Sequence, residues 1–159
     1  MSFMFWLKGL FSHSVAVSEL ALVNAISDQH HVLASNFADP ADRARFMAAK
    51  ARGLSDAQAF RYGDNCVGFW GANTCCDTPM CALPPEDIVA KWGTEKAGNN
   101  KLVRVRAASG GEPVLCLLSD VMPHKRNITN GCGIDLNPGA VKALGLHAPL
   151  KTPVAWDWA

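Results

Sequence analysis

The spacing of apolar positions changes along the chain, and the changes divide it in two. Between Val15 and Leu33, the residues Val17, Leu20, Ala21, Val23, Ala25 and Ile26 form a broad apolar stripe. Glu19, Asn24 and Asp28 lie opposite, which predicts an amphipathic helix. Asp39-Pro40 reads as an N-cap followed by a first-turn proline, opening a second helix that Gly53 stops. Ser55-Asp56-Ala57-Gln58 is a capping box for a short third helix, ended by Gly63. From there to Pro85 the chain is rich in Gly, Asn, Asp, Thr, Cys and Pro, with Phe69 and Trp70 embedded. That texture predicts irregular loops, the kind that carry sites when a scaffold holds them. Pro85 to Trp92 returns to a helical turn.

The last third reads as strands. Leu102 to Ala107 alternates, with one polar face, and Gly110-Gly111 makes a turn. Pro113 to Leu118 is almost continuously apolar, as in a strand buried on both sides, and it delivers Asp120 at its end. After a polar loop, a second short strand delivers Asp135. Asn137 then caps a helix whose first turn holds Pro138, whose core side is Val141, Leu144 and Leu146, and which Gly145 ends. Val154, Trp156 and Trp158 share one face of a terminal strand. These tryptophans either stack on sugar rings or pack inward, and packing is the reading favoured for them.

Composition narrows the function classes. At 159 residues with 49% hydrophobic content the chain can bury one real core, with room for an appendage. A net charge of +1 and the lack of any Lys/Arg run argue against binding nucleic acid through a basic surface. Arg43, Arg45, Lys50 and Arg52 read as a solvated helix face; His30-His31 offer a metal or pH-sensing pair, but adjacent residues point apart on a helix, and the ordinary structural reading is favoured. All 6 cysteines, Cys66, Cys75, Cys76, Cys81, Cys116 and Cys132, lie after the helical part. That points to disulfides, or disulfides with some free thiols, and an oxidising destination. Their spacing lacks the C-x-x-C pairs of common zinc sites, so no metal and no cofactor is expected. Met1 to Phe11 is strongly apolar but too short to span a bilayer. It resembles a secretion signal only loosely, because Lys8 interrupts it and no clear cleavage motif follows. Exposing its aromatics would be costly, so it is expected to pack on the remainder of the chain or on a partner. A virion protein released by host lysis would reconcile the cysteines with the weak export signal. The expected location is therefore extracellular or virion-associated, with no transmembrane segment.

The two acids, Asp120 and Asp135, stand at the mouths of neighbouring strands, where chemistry is often placed. Asp is also a common turn residue and helix starter, so a purely structural role is the alternative on local grounds. A family resemblance bears on this choice. The order Asp120-Val121-Met122-Pro123, Ile134-Asp135-Leu136-Asn137-Pro138-Gly139-Ala140 and Leu144-Gly145 resembles the C-terminal half of the double-psi β-barrel found in the rare lipoprotein A, expansin and barwin-like group. The resemblance spans roughly Tyr62 to Trp158. In the front half of that span, Tyr62-Gly63-Asp64, Gly71-Ala72-Asn73-Thr74 and Cys81-Ala82-Leu83-Pro84 fit the same plan. It implies an α+β chain, mainly β, with a helical N-terminal arm over residues 1–61 and a six-stranded double-psi barrel over residues 62–159.

In the lytic transglycosylases of that group, one surface acid protonates the glycosidic oxygen and then takes a proton from the sugar's own 6-hydroxyl. The resemblance carries that role to Asp120, with Asp135 as a supporting acid; Asp64, Trp70 in the irregular loop, and His124, near Asp120 but at a different motif position from the family histidine, are the expected substrate contacts. Peptidoglycan or another polysaccharide is then the partner, and the arm attaches to a further protein, such as a virion assembly. Two features depart from the rare lipoprotein A pattern. Met122 stands where a glycine precedes the proline, and the T-A-A-H histidine is missing. Expansins keep the fold and bind wall glycan without clear hydrolysis. The alternative is therefore a non-catalytic structural virion or assembly protein using the barrel as a scaffold.

Overall fold

A computed structural model describes residues 30–159. The apolar Met1 to Phe11 stretch, and the expected helix as far as residue 29, lie outside the described residues. Six strands close into one barrel: β1 (His30–Asn36), β2 (Met80–Leu83), β3 (Leu102–Ala107), β4 (Val114–Val121), β5 (Cys132–Leu136) and β6 (Lys151–Trp158), in the spatial order β1-β5-β2-β4-β3-β6. The sheet is mixed. β1 runs parallel to β5 and β2 parallel to β4, and the other four pairings are antiparallel.

The helices are α1 (Pro40–Ala51), α2 (Asp56–Ala59), α3 (Pro85–Trp92) and α4 (Pro138–Ala143). Their starts follow local chemistry. Asp39 accepts the Ala41 N–H, Ser55 and Gln58 form the reciprocal capping box, and Asn137 accepts the Ala140 N–H. The expected strands over Leu102–Ala107, Pro113–Leu118 and Val154–Trp158 are present as β3, β4 and β6.

The expected helix through Leu33 is corrected by β1. His30–Asn36 is a strand, zipped between β5 and β6. Val32, Leu33 and Ala34 are an apolar run that suits a helix or a strand locally, and the two open neighbouring edges decide the outcome. The barrel consequently takes its first strand from the segment expected to be arm, well before Tyr62.

The barrel interior is filled by Ala34, Cys81, Leu83, Val103, Val105, Cys116, Leu118, Ile134, Leu136, Val154 and Trp156, and Ile88 of α3 and Val141 of α4 close onto this core. Trp156 is 1% exposed, stacks on His30 at 3.9 Å between ring centroids, and meets Trp158 edge-on at 5.4 Å. Both tryptophans therefore serve packing, as favoured above. The α1–α2 hairpin keeps a small core of its own, Phe46, Ala49 and Ala59, with Leu54 against it. Among the described residues no helix is long and apolar enough to cross a membrane.

Candidate functional site

Ala82 lies at the centre of the site. On β2 it is flanked by Cys81 and Leu83, both fully buried in the barrel, so Ala82 itself points to the outer face. It pairs with Asp120 on β4 and with Asp135 on β5. Ser35 on β1 pairs in turn with Asp135. Ser35, Asp135, Ala82 and Asp120 thus form one row across four adjacent strands. Two inter-strand steps separate the two acids, which sets their Cα atoms roughly 10 Å apart.

Two register shifts build this row. Between Leu118 and Asp120 the β2–β4 pairing skips Ser119. Leu118 faces the core, so simple alternation would turn Asp120 inward as well. The extra residue resets the alternation, sends Asp120 outward beside Ala82, and returns Val121 toward the core. The β1–β5 pairing likewise skips Gly133, which brings Ser35 level with Asp135. A side chain at Gly133 would meet Val32 carbons at 2.7 and 2.9 Å, so this shift requires glycine.

The loop before β2 closes over the row. Cys66 and Cys75 are joined in a disulfide. Within the loop, Gly68 packs so closely that an added Cβ would lie 2.3 Å from the Ser119 carbonyl oxygen. The next residue, Phe69, donates its backbone N–H to Asp120 Oδ1 at 2.8 Å, the oxygen that also accepts the Val121 N–H at 2.8 Å. One carboxylate oxygen of Asp120 thus holds two N–H groups, leaving Oδ2 for other chemistry. Ser35 Oγ donates to Asp135 Oδ1, and Asp64 Oδ1 accepts the Cys66 N–H at 2.6 Å.

All three carboxyls are held above the ordinary Asp range. For Asp120, burial pushes upward most; the Val121 and Phe69 N–H groups pull down, and the negative charges of Asp64 and Asp135 add to the rise. Burial raises Asp135 against the opposing Ser35 hydroxyl. Asp64 is raised by burial, lowered by the Cys66 N–H and raised again by Asp42. A carboxyl that keeps its proton closer to neutrality is suited to general-acid work.

The five residues singled out from sequence fall into two groups. Asp64, Asp120 and Asp135 are brought together electrostatically, with Asp120 coupled to both others. Trp70 is on the same loop, but its ring packs partly against the barrel core, and its buried indole N–H meets no hydrogen-bond partner among the described residues. The exposed aromatic ring is its neighbour Phe69, 60% exposed and edge-on to Trp70 at 5.4 Å. His124 sits at the start of the turn after β4, where its Nδ1 lies 3.0 Å from Glu86 Oε1 at the start of α3. None of the five lines the cavity of about 620 Å³ bounded by His31, Leu33, Pro84, Lys125 and Ile128.

Sequence reasoning missed Ser35, Gly68, Ala82 and Gly133. Ser35 lay inside the segment expected to belong to the arm. The Gly131-Cys132-Gly133 triplet was a usable signal, since glycine inside a strand pattern marks a bulge or a close backbone approach. Nothing local distinguishes Gly68, and the Cys81-Ala82-Leu83-Pro84 match placed Ala82 in a motif without giving it a part in the site.

The cysteines divide by environment. Besides the disulfide, Cys76 is free and half-buried, and Cys81, Cys116 and Cys132 are free and buried. Burial pushes the Cys116 thiol up to about 12, and burial together with Cys116 raises Cys81 well above its usual value. These thiols act as small apolar core residues. Among the described residues no three His, Cys, Asp or Glu side chains converge to hold a metal ion.

Comparison with protein-family models finds no match, and neither does comparison with curated proteins.

Proposed function

We propose that this chain is a double-psi β-barrel protein of the rare lipoprotein A, expansin and barwin-like kind, which engages bacterial cell-wall glycan and cleaves it as a lytic transglycosylase. The fold half of this reading is supported by the closed six-strand barrel, whose two parallel pairs each carry a one-residue register shift. That arrangement is compatible with two interlocked psi motifs. The Cys66–Cys75 disulfide suits an oxidising setting, extracellular or virion-borne.

One observation carries the functional half: Asp120 and Asp135, the two acids the motifs single out, share a row on the outer face with their carboxyls raised. In the proposed reaction Asp120 gives its proton, from Oδ2, to the glycosidic oxygen as the C–O bond breaks. The resulting carboxylate takes a proton from the sugar's 6-hydroxyl, and that oxygen attacks the anomeric carbon. The product is an anhydro sugar, and no water is consumed. One carboxyl that serves first as acid and then as base is enough. Asp135, oriented by Ser35, supports it through its charge. Phe69 rather than Trp70 offers a ring face to a sugar.

Incubation with purified sacculi tests the reading, with release of soluble anhydro-muropeptides as the expected result. Sacculus binding without release would leave a wall-binding barrel, as in expansins. Neither binding nor release would favour a structural virion or assembly protein. That second reading is supported by Met47, Phe60 and Tyr62, each about half exposed on or just after the α1–α2 hairpin, where another protein can dock.

A further inference from the structure

We infer that the Cys66–Cys75 disulfide is a redox latch: reduction frees the loop that holds Asp120 and disassembles the acid site without unfolding the barrel. A chain of contacts links the disulfide to Asp120. At the far end of the loop, Asn137 is fully buried and donates from Nδ2 to the Thr74 carbonyl at 3.0 Å and the Cys76 carbonyl at 3.3 Å, so these residues are fixed to the barrel. Cys75 lies between them. The disulfide passes that anchorage to Cys66, and three residues later the Phe69 N–H holds Asp120. Among the described residues the loop's regular pairing is the isolated Val67–Asn73 bridge, and the backbone bonds Gly68 to Ala72, Gly71 to Gly68 and Thr74 to Cys66 are internal to it. Its outer side chains, Val67 and Phe69, are 53% and 60% exposed and add little burial, while Trp70 packs partly against the barrel core, Thr74 is fully buried and Gly68 lies close against Ser119. With Trp70, Thr74 and Gly68 as its inward contacts, the Cys66–Phe69 stretch opens locally once its covalent tie is cut.

The chemistry is thiol–disulfide exchange with a dithiol reductant. Cys66 is buried at 4% exposure, whereas Cys75 is partly exposed, so a dithiol thiolate attacks the Cys75 sulfur. The Cys66 sulfur leaves as a thiolate and takes a proton. The reagent's second sulfur then displaces Cys75, which takes the other proton, and the reagent ends as a cyclic disulfide. Two electrons pass to the protein. Asp64 and Asp120, at the two ends of the affected contact network, lose their fixed separation.

Amide hydrogen exchange read by NMR, in the oxidised protein and after dithiothreitol, tests the latch without assuming any substrate. The Phe69 amide should exchange at least about tenfold faster on reduction, with Leu118 and Leu136 unchanged. Reoxidation should restore it. An unchanged Phe69 rate, with reduction verified by mass, would overturn the proposal, as would equal acceleration of Leu118 and Leu136, which would make the disulfide a global staple. The doubly substituted Cys66→Ser, Cys75→Ser protein should match the reduced form whether or not reductant is present. If that variant does not fold, the reduced native chain still reports the same rates. The effect on activity rests on the glycan reading. If Phe69 is released but neither form acts on sacculi, the latch stands and that reading falls. If the oxidised protein cleaves sacculi and reduction changes neither cleavage nor exchange, the latch falls and the reading stands.

Discussion

Asp120 and Asp135 face the same residue from opposite sides: Ala82 on β2 pairs with the first through a parallel ladder and with the second through an antiparallel one. The relationship depends on the extra residue Ser119, because without it Asp120 would point into an apolar barrel.

Asp120→Asn keeps the shape and still accepts the Phe69 and Val121 N–H groups, but it cannot deliver a proton. Release of anhydro-muropeptides from sacculi should fall by about a hundredfold to ten-thousandfold, the usual loss when a general acid–base group is removed. Unchanged release would exclude Asp120 from the role.

The same substitution should reverse part of an electrostatic cost. Burial, helped by Asp64 and Asp135, holds the folded carboxyl above 3.8, while the N–H groups only partly compensate. The folded state then binds the proton more tightly than the unfolded state. Its contribution to stability is full below pH 3.8 and is lost as pH rises through the raised folded value. Thermal melts should therefore show Asp120→Asn gaining on the native protein at pH 7, with the gain shrinking toward pH 3. A constant difference across that range would contradict the sign.

Gly68→Ala places a methyl 2.3 Å from the Ser119 carbonyl oxygen, a backbone atom that cannot rotate away. The loop must shift, at a cost of about 1–3 kcal/mol typical of overpacking. The Phe69 N–H should lose Asp120, visible as an upfield move of its amide proton and as weaker sacculus cleavage at nearly native barrel content by circular dichroism.

Asn137 is fully buried and makes contacts on both sides of its amide. It accepts from Met80 N–H at 2.8 Å and Ala140 N–H at 2.9 Å, and donates to the Thr74, Cys76 and Thr78 carbonyls. Asn137→Ala strands these groups, and urea unfolding should show a loss of roughly 3–5 kcal/mol, since each buried unsatisfied group costs about 1–3 kcal/mol. Asn137→Asp should also be costly, because it turns the donor toward three carbonyl oxygens into a further acceptor.

Thiol alkylation of the folded, oxidised protein should label Cys76 first. Cys116, pushed up to about 12, is thiolate to only about one part in ten thousand at pH 8 and is sealed in the core besides. Mass mapping that found Cys116 or Cys81 modified as fast as Cys76 would mean the barrel opens readily.

Elements governed by neighbours a few residues away were legible without a structure. Asp39-Pro40, the Ser55–Gln58 box and Asn137-Pro138 start helices because a side chain reaches an N–H within three positions. The alternation of β3 and the apolar run of β4 announced strands, and the motif order pointed to Asp120 and Asp135 as a pair. Cysteine count suggested disulfides, and one is present, but the partner of each cysteine was open until the loop brought Cys66 to Cys75.

Local sequence therefore specifies an inventory: capped helices, strands of period two, a loop rich in small residues, and two acids at strand ends. The tertiary structure decided what these become. It made His30–Asn36 a strand, because a barrel closes only when β5 and β6 both find a partner, and backbone groups left open at an edge are costly. It chose Phe69 over Trp70 for the exposed ring, since the larger indole fills space beside the core. It aimed Asp120 outward through a skipped residue in a ladder between strands far apart in the chain. Such pairings depend on contacts between distant segments, and local periodicity carries no record of them.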